Sequence, residues 1–222
     1  PVDPGSVEAE IAYGPTWWAN GGELESRPGS MHPLVLSIVV GVLPDVDVKA
    51  AVGWATVYQD ADAAKEGAAP VRGFGQTDAA LAARWRFLTL EDPALDVAAV
   101  AGVTVPTGTR ASAASLGTTQ GFWSAGGSLV ASADRGRWTC NAELGAVVPL
   151  GPGRGDDVAT LVANLAVGHQ LAPWLQPEVE LNYQHGFESG GAPDEEALGV
   201  TAALVVPVAP TRLVLSLRWP IH

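Results

Sequence analysis

The chain carries 222 residues, of which 47% are hydrophobic and only 16% charged, with a formal net charge of −12. That acidity argues against the basic patches needed to hold phosphate, so nucleic acid is not an expected partner. The single cysteine, Cys140, leaves neither a disulfide framework nor a cysteine metal site.

Apolar and polar residues alternate at period two in segments of about ten residues, which predicts strands. The first is "SVEAEIAY", with Val7, Ile11 and Tyr13 opposite Glu8 and Glu10. "PLVLSIVVGVL" is apolar throughout. In "VDVKAAVGWATVYQ", Val48, Val52 and Trp54 oppose Asp47 and Lys49. In "TDAALAARWRFL", Leu81, Trp85 and Phe87 oppose Asp78, Arg84 and Arg86; on propensity alone this stretch also fits a helix, because alanine is a weak strand former. "LDVAAVAGVTVP" carries Asp96 and Thr104 on its polar parity, and "FWSAGGSLVASAD" sets Trp123 and Leu129 against three serines and Asp134. In "WTCNAELGAVVPL", Trp138, Cys140 and Leu144 oppose Thr139, Asn141 and Glu143. "VATLVANLAVGHQL" follows. The cleanest alternation is "QPEVELNYQHG", with Val179, Leu181 and Tyr183 opposite Glu178 and Glu180. "ALGVTAALVVPV" is tenth. The eleventh is "TRLVLSLRWPIH", with its leucines and Trp219 on one parity and Arg212 and Arg218 on the other.

Short connections ("LPD", "LEDPA", "ADRGR", "LAPW", "VAPT") alternate with long ones such as "DADAAKEGAAPVRGFG" and "TGTRASAASLGTTQG". Mean hydropathy is +0.18, yet no apolar run approaches the roughly 18 residues of a membrane helix. A greasy chain without a spanning helix is either a soluble all-β protein with a large core or a membrane barrel. The short–long alternation favours the barrel, with short periplasmic turns and long external loops, because Greek-key crossovers would not keep it. The expected fold is therefore all-β: an antiparallel up-and-down transmembrane β-barrel spanning residues 1–222 as one domain. Eleven strands are read. Bacterial single-chain barrels have even numbers, so ten or twelve are expected and twelve is favoured.

The run "GFGQTDAALAARWRFLTLEDPALDVAAVAGVTVPTGTR", with the later "WSAGGSLVASADRGRWTCNAELG" and "APWLQPEVELNYQHG", resembles small outer-membrane proteins of the MetA-pathway of phenol degradation family. In that family a Gly-rich loop leads to an acidic residue, a strand ending in Arg-aromatic, and a strand ending in a "PTG" turn. The resemblance covers roughly residues 30 to 190. It implies an outer-membrane barrel passing small apolar or aromatic compounds. Such barrels tend to end on an aromatic residue, whereas Trp219 is followed by Pro220, Ile221 and His222.

In a barrel the polar parity faces the lumen. The lumen-lining candidates are Asp47, Lys49, Asp78, Arg84, Arg86, Glu143, Glu178, Glu180, Arg212 and Arg218, with Glu8, Glu10, Asp96 and Asp134 as further inward acids. Opposite charges there either pair and brace a narrow wall or line a permeation path, whose net acidity would favour cations. Trp54, Trp85, Trp123, Trp138 and Trp219 are candidates for interfacial aromatic girdles. The histidines show no metal spacing, no cofactor is implied, and His185 near Ser189 is the sole hint of a hydrolase. Cys140 falls on the apolar parity, where a thiol is inert. "RGD" at 154–156 is read as a chance turn, and the acidic loops as solvated tips.

The chain thus reads as a non-enzymatic outer-membrane barrel of a Gram-negative bacterium, its signal peptide already removed. It is expected to be a channel or transporter for small molecules, or else a plugged barrel that anchors other envelope components, with an outer-membrane hydrolase as the remote third. The expected partners are the lipid bilayer, a small-molecule solute and other envelope proteins.

Overall fold

A computed structural model describes residues 2–18, 29–60, 70–92, 94–112, 115–151, 157–189, 195–208 and 211–220. For 16–18, 195, 207–208, 211–213 and 218–220 it describes the backbone alone. Thirteen strand segments form one sheet. They are β1 (Val7–Tyr13), β2 (Thr16–Trp18), β3 (Gly29–Leu43), β4 (Val46–Gln59), β5 (Val71–Gln76), β6 (Ala79–Glu91) and β7 (Ala94–Val105), then β8 (Trp123–Arg135), β9 (Trp138–Leu150), β10 (Asp157–His169), β11 (Gln176–Glu188), β12 (Glu195–Val208) and β13 (Thr211–Pro220).

Two pairs of these segments are single staves with a break. β1 and β2 both lie between β3 and β13 and are interrupted at Gly14 and Pro15. Pro15 has no N–H for a ladder. β5 and β6 both pair with β4 and are interrupted at Thr77 and Asp78. Thirteen segments less two breaks leave a closed barrel of 11 staves.

The eleven strands read from the sequence are these eleven staves, but the even parent of ten or twelve does not occur. An odd meander brings its first and last strands together running the same way. β1 accordingly pairs with β13 in parallel, from Ala9 with Thr211 to Tyr13 with Leu215, while every other seam is antiparallel except the single bridge of β2 to β13. An even count is required only when the closing pair is antiparallel. A parallel pair satisfies the same backbone groups, which is what a membrane demands.

The stretch 78–87 that also fitted a helix lies in and just before β6, because ladders to β4 and β7 on either side outweigh the helix preference of alanine. β5 falls within a stretch that reads as a connection, and β2 within one that the alternation assigns to no element. At the short-turn end, Gly136 takes a φ of 65° and closes β8 onto β9 in a two-residue hairpin.

Exposure decides which face is wet. Among the described residues, the buried polar set includes Ser37, Asp47, Ser124, Asn182 and Thr201, whereas Leu34, Leu129, Leu144, Leu165, Val179 and Leu215 are exposed. Leu129, Leu144, Leu165 and Leu215 each alternate with an inward small or polar residue on their own strands: Ser128, Glu143, Asn164 and Ser216. This is a soluble protein turned inside out, and the apolar outer wall belongs in lipid. No helix among the described residues is long and apolar enough to cross a membrane.

Candidate functional site

The lumen has two unlike walls. On one, β4 and β6 carry the bases. Arg84 donates from Nε (3.1 Å) and Nη2 (2.6 Å) to Oδ2 of Asp47, which is only 2% exposed. Register places the two side by side, Asp47 opposite Arg84. Arg86 donates to Oδ1 of Asp45 (3.1 and 3.0 Å) and lies 3.7 Å from Asp96, whose Oδ1 also accepts from Thr89 at 2.7 Å. Lys49 stands 3.7 Å from Glu10 on β1. Each described inward base on these strands therefore meets an acid.

Residues 2–6 lie against this wall at its short-turn end. The Val2 N–H donates to Asp47 Oδ2 (3.1 Å), Gly5 N–H to Gly41 O (2.9 Å) and Gly41 N–H to Ser6 O (3.1 Å). The backbone oxygens of Val2 and Asp3 occupy the place a side chain at Gly41 would need.

The other wall is acid-only. β7 to β12 carry no lysine, and their one arginine, Arg135, is the last residue of β8 on the outward parity. Their inward acids include Glu143, Glu178 and Glu180, beyond the Asp96 already met by Arg86. Asn164 Nδ2 donates to Glu143 Oε2 (3.1 Å), and Asn182 Nδ2 donates to Thr201 Oγ1 (3.0 Å). A recess of about 280 Å³ lies on the β6–β10 part of the wall, lined largely by glycine, alanine, valine and serine. Thr201 is in register with Glu180 on one side and Arg218 on the other. The side chains of Arg212, Arg218 and Trp219 lie outside the described residues.

The sequence reading placed Asp78 on the permeation wall. In the structure it sits in the break between β5 and β6 and holds the connection 106–122. Its Oδ1 accepts from Gly108 N–H (2.9 Å) and Thr119 Oγ1 (2.5 Å), and its Oδ2 from Gln120 N–H (2.8 Å). Thr109 N–H and Thr118 Oγ1 both donate to Gln76 O (2.9 and 2.5 Å), Thr107 Oγ1 accepts from Ala79 N–H (2.9 Å), and Leu116 N–H donates to Arg72 O (3.1 Å). The connection crosses the inner face of β5. Gly73 and Gly75 face it, and a side chain at either would strike Leu116 or Thr109. Sequence reasoning missed this contact. The available signal was two glycines at i and i+2 on one strand face, which mark close backbone approach.

Trp54 and Trp123 are exposed on the outer face toward the long-loop end, and Trp85 and Trp138 toward the short turns, where Trp85 pairs with Val46 at the start of β4. His185 faces outward and holds Glu196 at 3.2 Å, with Phe187 against its ring at 4.5 Å. Cys140 is exposed on the outer face. The RGD triplet and most of the two acidic loops lie outside the described residues. Among the described residues no group of three or more His, Cys, Asp or Glu could hold a metal.

Residues 40–219 match the family described as "Putative MetA-pathway of phenol degradation". The chain belongs to that family. Its fold is similar to the crystal structure of an outer membrane channel from Pseudomonas putida F1, with a TM-score of 0.69 at 14% identity, over 94% of this chain and 85% of that one. No curated protein matches the chain in sequence. The Gly-rich run, the acidic Asp78 and the "PTG" turn on which the family resemblance rested are the parts that seat 106–122 across β5.

Proposed function

We propose that the chain is a passive channel of the outer membrane for small molecules, with small apolar or aromatic compounds as its solute class. The observation that carries this is the recess on the lumen wall. A closed barrel with charge and small residues inside and leucine outside needs no open space to be stable, yet β6 to β10 leave about 280 Å³ unfilled by side chains. The likeness to an outer membrane channel and the family membership support the same reading.

A plugged barrel that anchors envelope components is the second reading. It is favoured by 106–122 lying over the inner face of β5 at one mouth and by residues 2–6 at the other. Conductance of the purified protein in a planar bilayer separates the two. Discrete steps that scale with salt are expected of the channel; current at background would leave the plugged barrel. The hydrolase draws no support from His185, which is engaged by Glu196 on the outer face.

A further inference from the structure

We propose that the recess binds a small organic cation, an apolar body with an ammonium head, and that Glu143 receives the head. Glu143 is the single charged residue in the lining of the recess. Around it Ala80, Val100, Gly102, Gly126 and Val162 present little side chain and no hydrogen-bonding group. Thr104, Ser124 and Ser128 add hydroxyls to the lining, and a site of this kind, mostly apolar with one charged group, orients a ligand by that group. Asn164 occupies Glu143 Oε2, and no donor among the described residues occupies Oε1. One oxygen is thus held in position while the other is left to a ligand.

The field selects a cation over a neutral hydroxyl. Glu178 stands two staves away on β11, and β8 to β10, the staves around Glu143, bring no lysine or arginine to the lumen face. The bases of the opposite wall are already held by Asp47, Asp45, Asp96 and Glu10. Like charges around a low-dielectric cavity raise the local concentration of the opposite sign. A purely apolar solute would not use Glu143, whose carboxylate would lose water without compensation.

For access this rests on the channel reading, but it is tested by binding. The probes are benzyltrimethylammonium and neopentylbenzene, its uncharged isostere, titrated calorimetrically into the full-length protein in detergent micelles. The cation is expected to bind at least tenfold tighter than the isostere. Glu143→Gln is expected to weaken the cation about tenfold, the loss of one charge-assisted contact, and to leave the isostere unchanged. Its carbonyl can still accept from Asn164, so the barrel is expected to persist by heat-modifiable gel migration. Ser128→Leu leaves Glu143 in place and is expected to weaken both probes by filling the recess; it carries the test if the Glu143 variant does not fold. Equal affinity for the two probes, a cation affinity indifferent to Glu143→Gln, or no binding to wild type would overturn the proposal. Binding without bilayer conductance would instead sink the channel reading and leave this site standing.

Discussion

The wall built by β4 and β6 and the wall built by β8 to β11 line the same lumen but treat buried charge differently. On the first, each described base is matched, and Asp47 is sealed at 2% exposure by Arg84 and the Val2 N–H. On the second, acids stand among small residues with no base on the lumen face, and space is left between them. Matched charge rigidifies and fills, as on the first wall; on the second, Glu143 is bonded at one oxygen by Asn164 and borders open space. On the proposed channel reading, the first wall serves stability and the second is the one left to solute.

Breaking the matched wall is expected to have the largest effect. Arg84→Ala leaves Asp47 buried without its partner, and should cost about 3–5 kcal/mol in urea titrations of the barrel in lipid vesicles. A cost near zero would mean Asp47 is already solvated. Next comes Asp78→Ala, which frees three donors of the 106–122 connection from one carboxylate. Charged acceptors contribute about 1.5–3 kcal/mol per bond at most, so a local loss of about 2–3 kcal/mol is expected. It should appear as new protease cleavage between 106 and 122 and as larger single-channel steps. Unchanged cleavage would show that the threonine contacts to Gln76 suffice.

Placing a base on the unmatched wall tests the contrast in the other direction. Val130 is in register with Glu143, so Val130→Lys should pair with it. A stability change of about 1 kcal/mol or less is expected, with the reversal potential in a salt gradient moving toward anions. A potential that stays put would show that ions do not pass this wall. The smallest effect belongs to Glu178→Gln, about 0.5 kcal/mol or less on stability for a charge bonded by no described residue, with a slight drop in cation preference in the same gradient.

Much of this was readable before the fold was known. Val46 to Gln59 and Trp138 to Leu150 were bounded correctly because alternation and the flanking turns agree there. The segments that escaped, Thr16–Trp18 and Val71–Gln76, are too short or too glycine-rich for a period to show. They are strands because a neighbour offers a ladder. Asp47, Lys49, Arg84, Arg86, Glu143, Glu178 and Glu180 fall on the lumen parity expected of them, since parity is a local property of a strand. Asp78 shares their parity, but its carboxylate is taken up by Gly108, Thr119 and Gln120, a long-range contact that the parity of a strand does not reveal.

The sequence alone determined that this chain is a barrel with grease outward. Period-two alternation, the short–long rhythm of its connections and the lack of a spanning helix are local facts that survive any register. It did not determine how the barrel closes, which base meets which acid, or where the lumen is left empty. Those depend on stagger between strands far apart in the chain: β1 reaches β13, Asp47 reaches Arg84, and 106–122 reaches Gly73 and Gly75. A shift of two residues in a seam would keep every side chain on its face and change the partners across it.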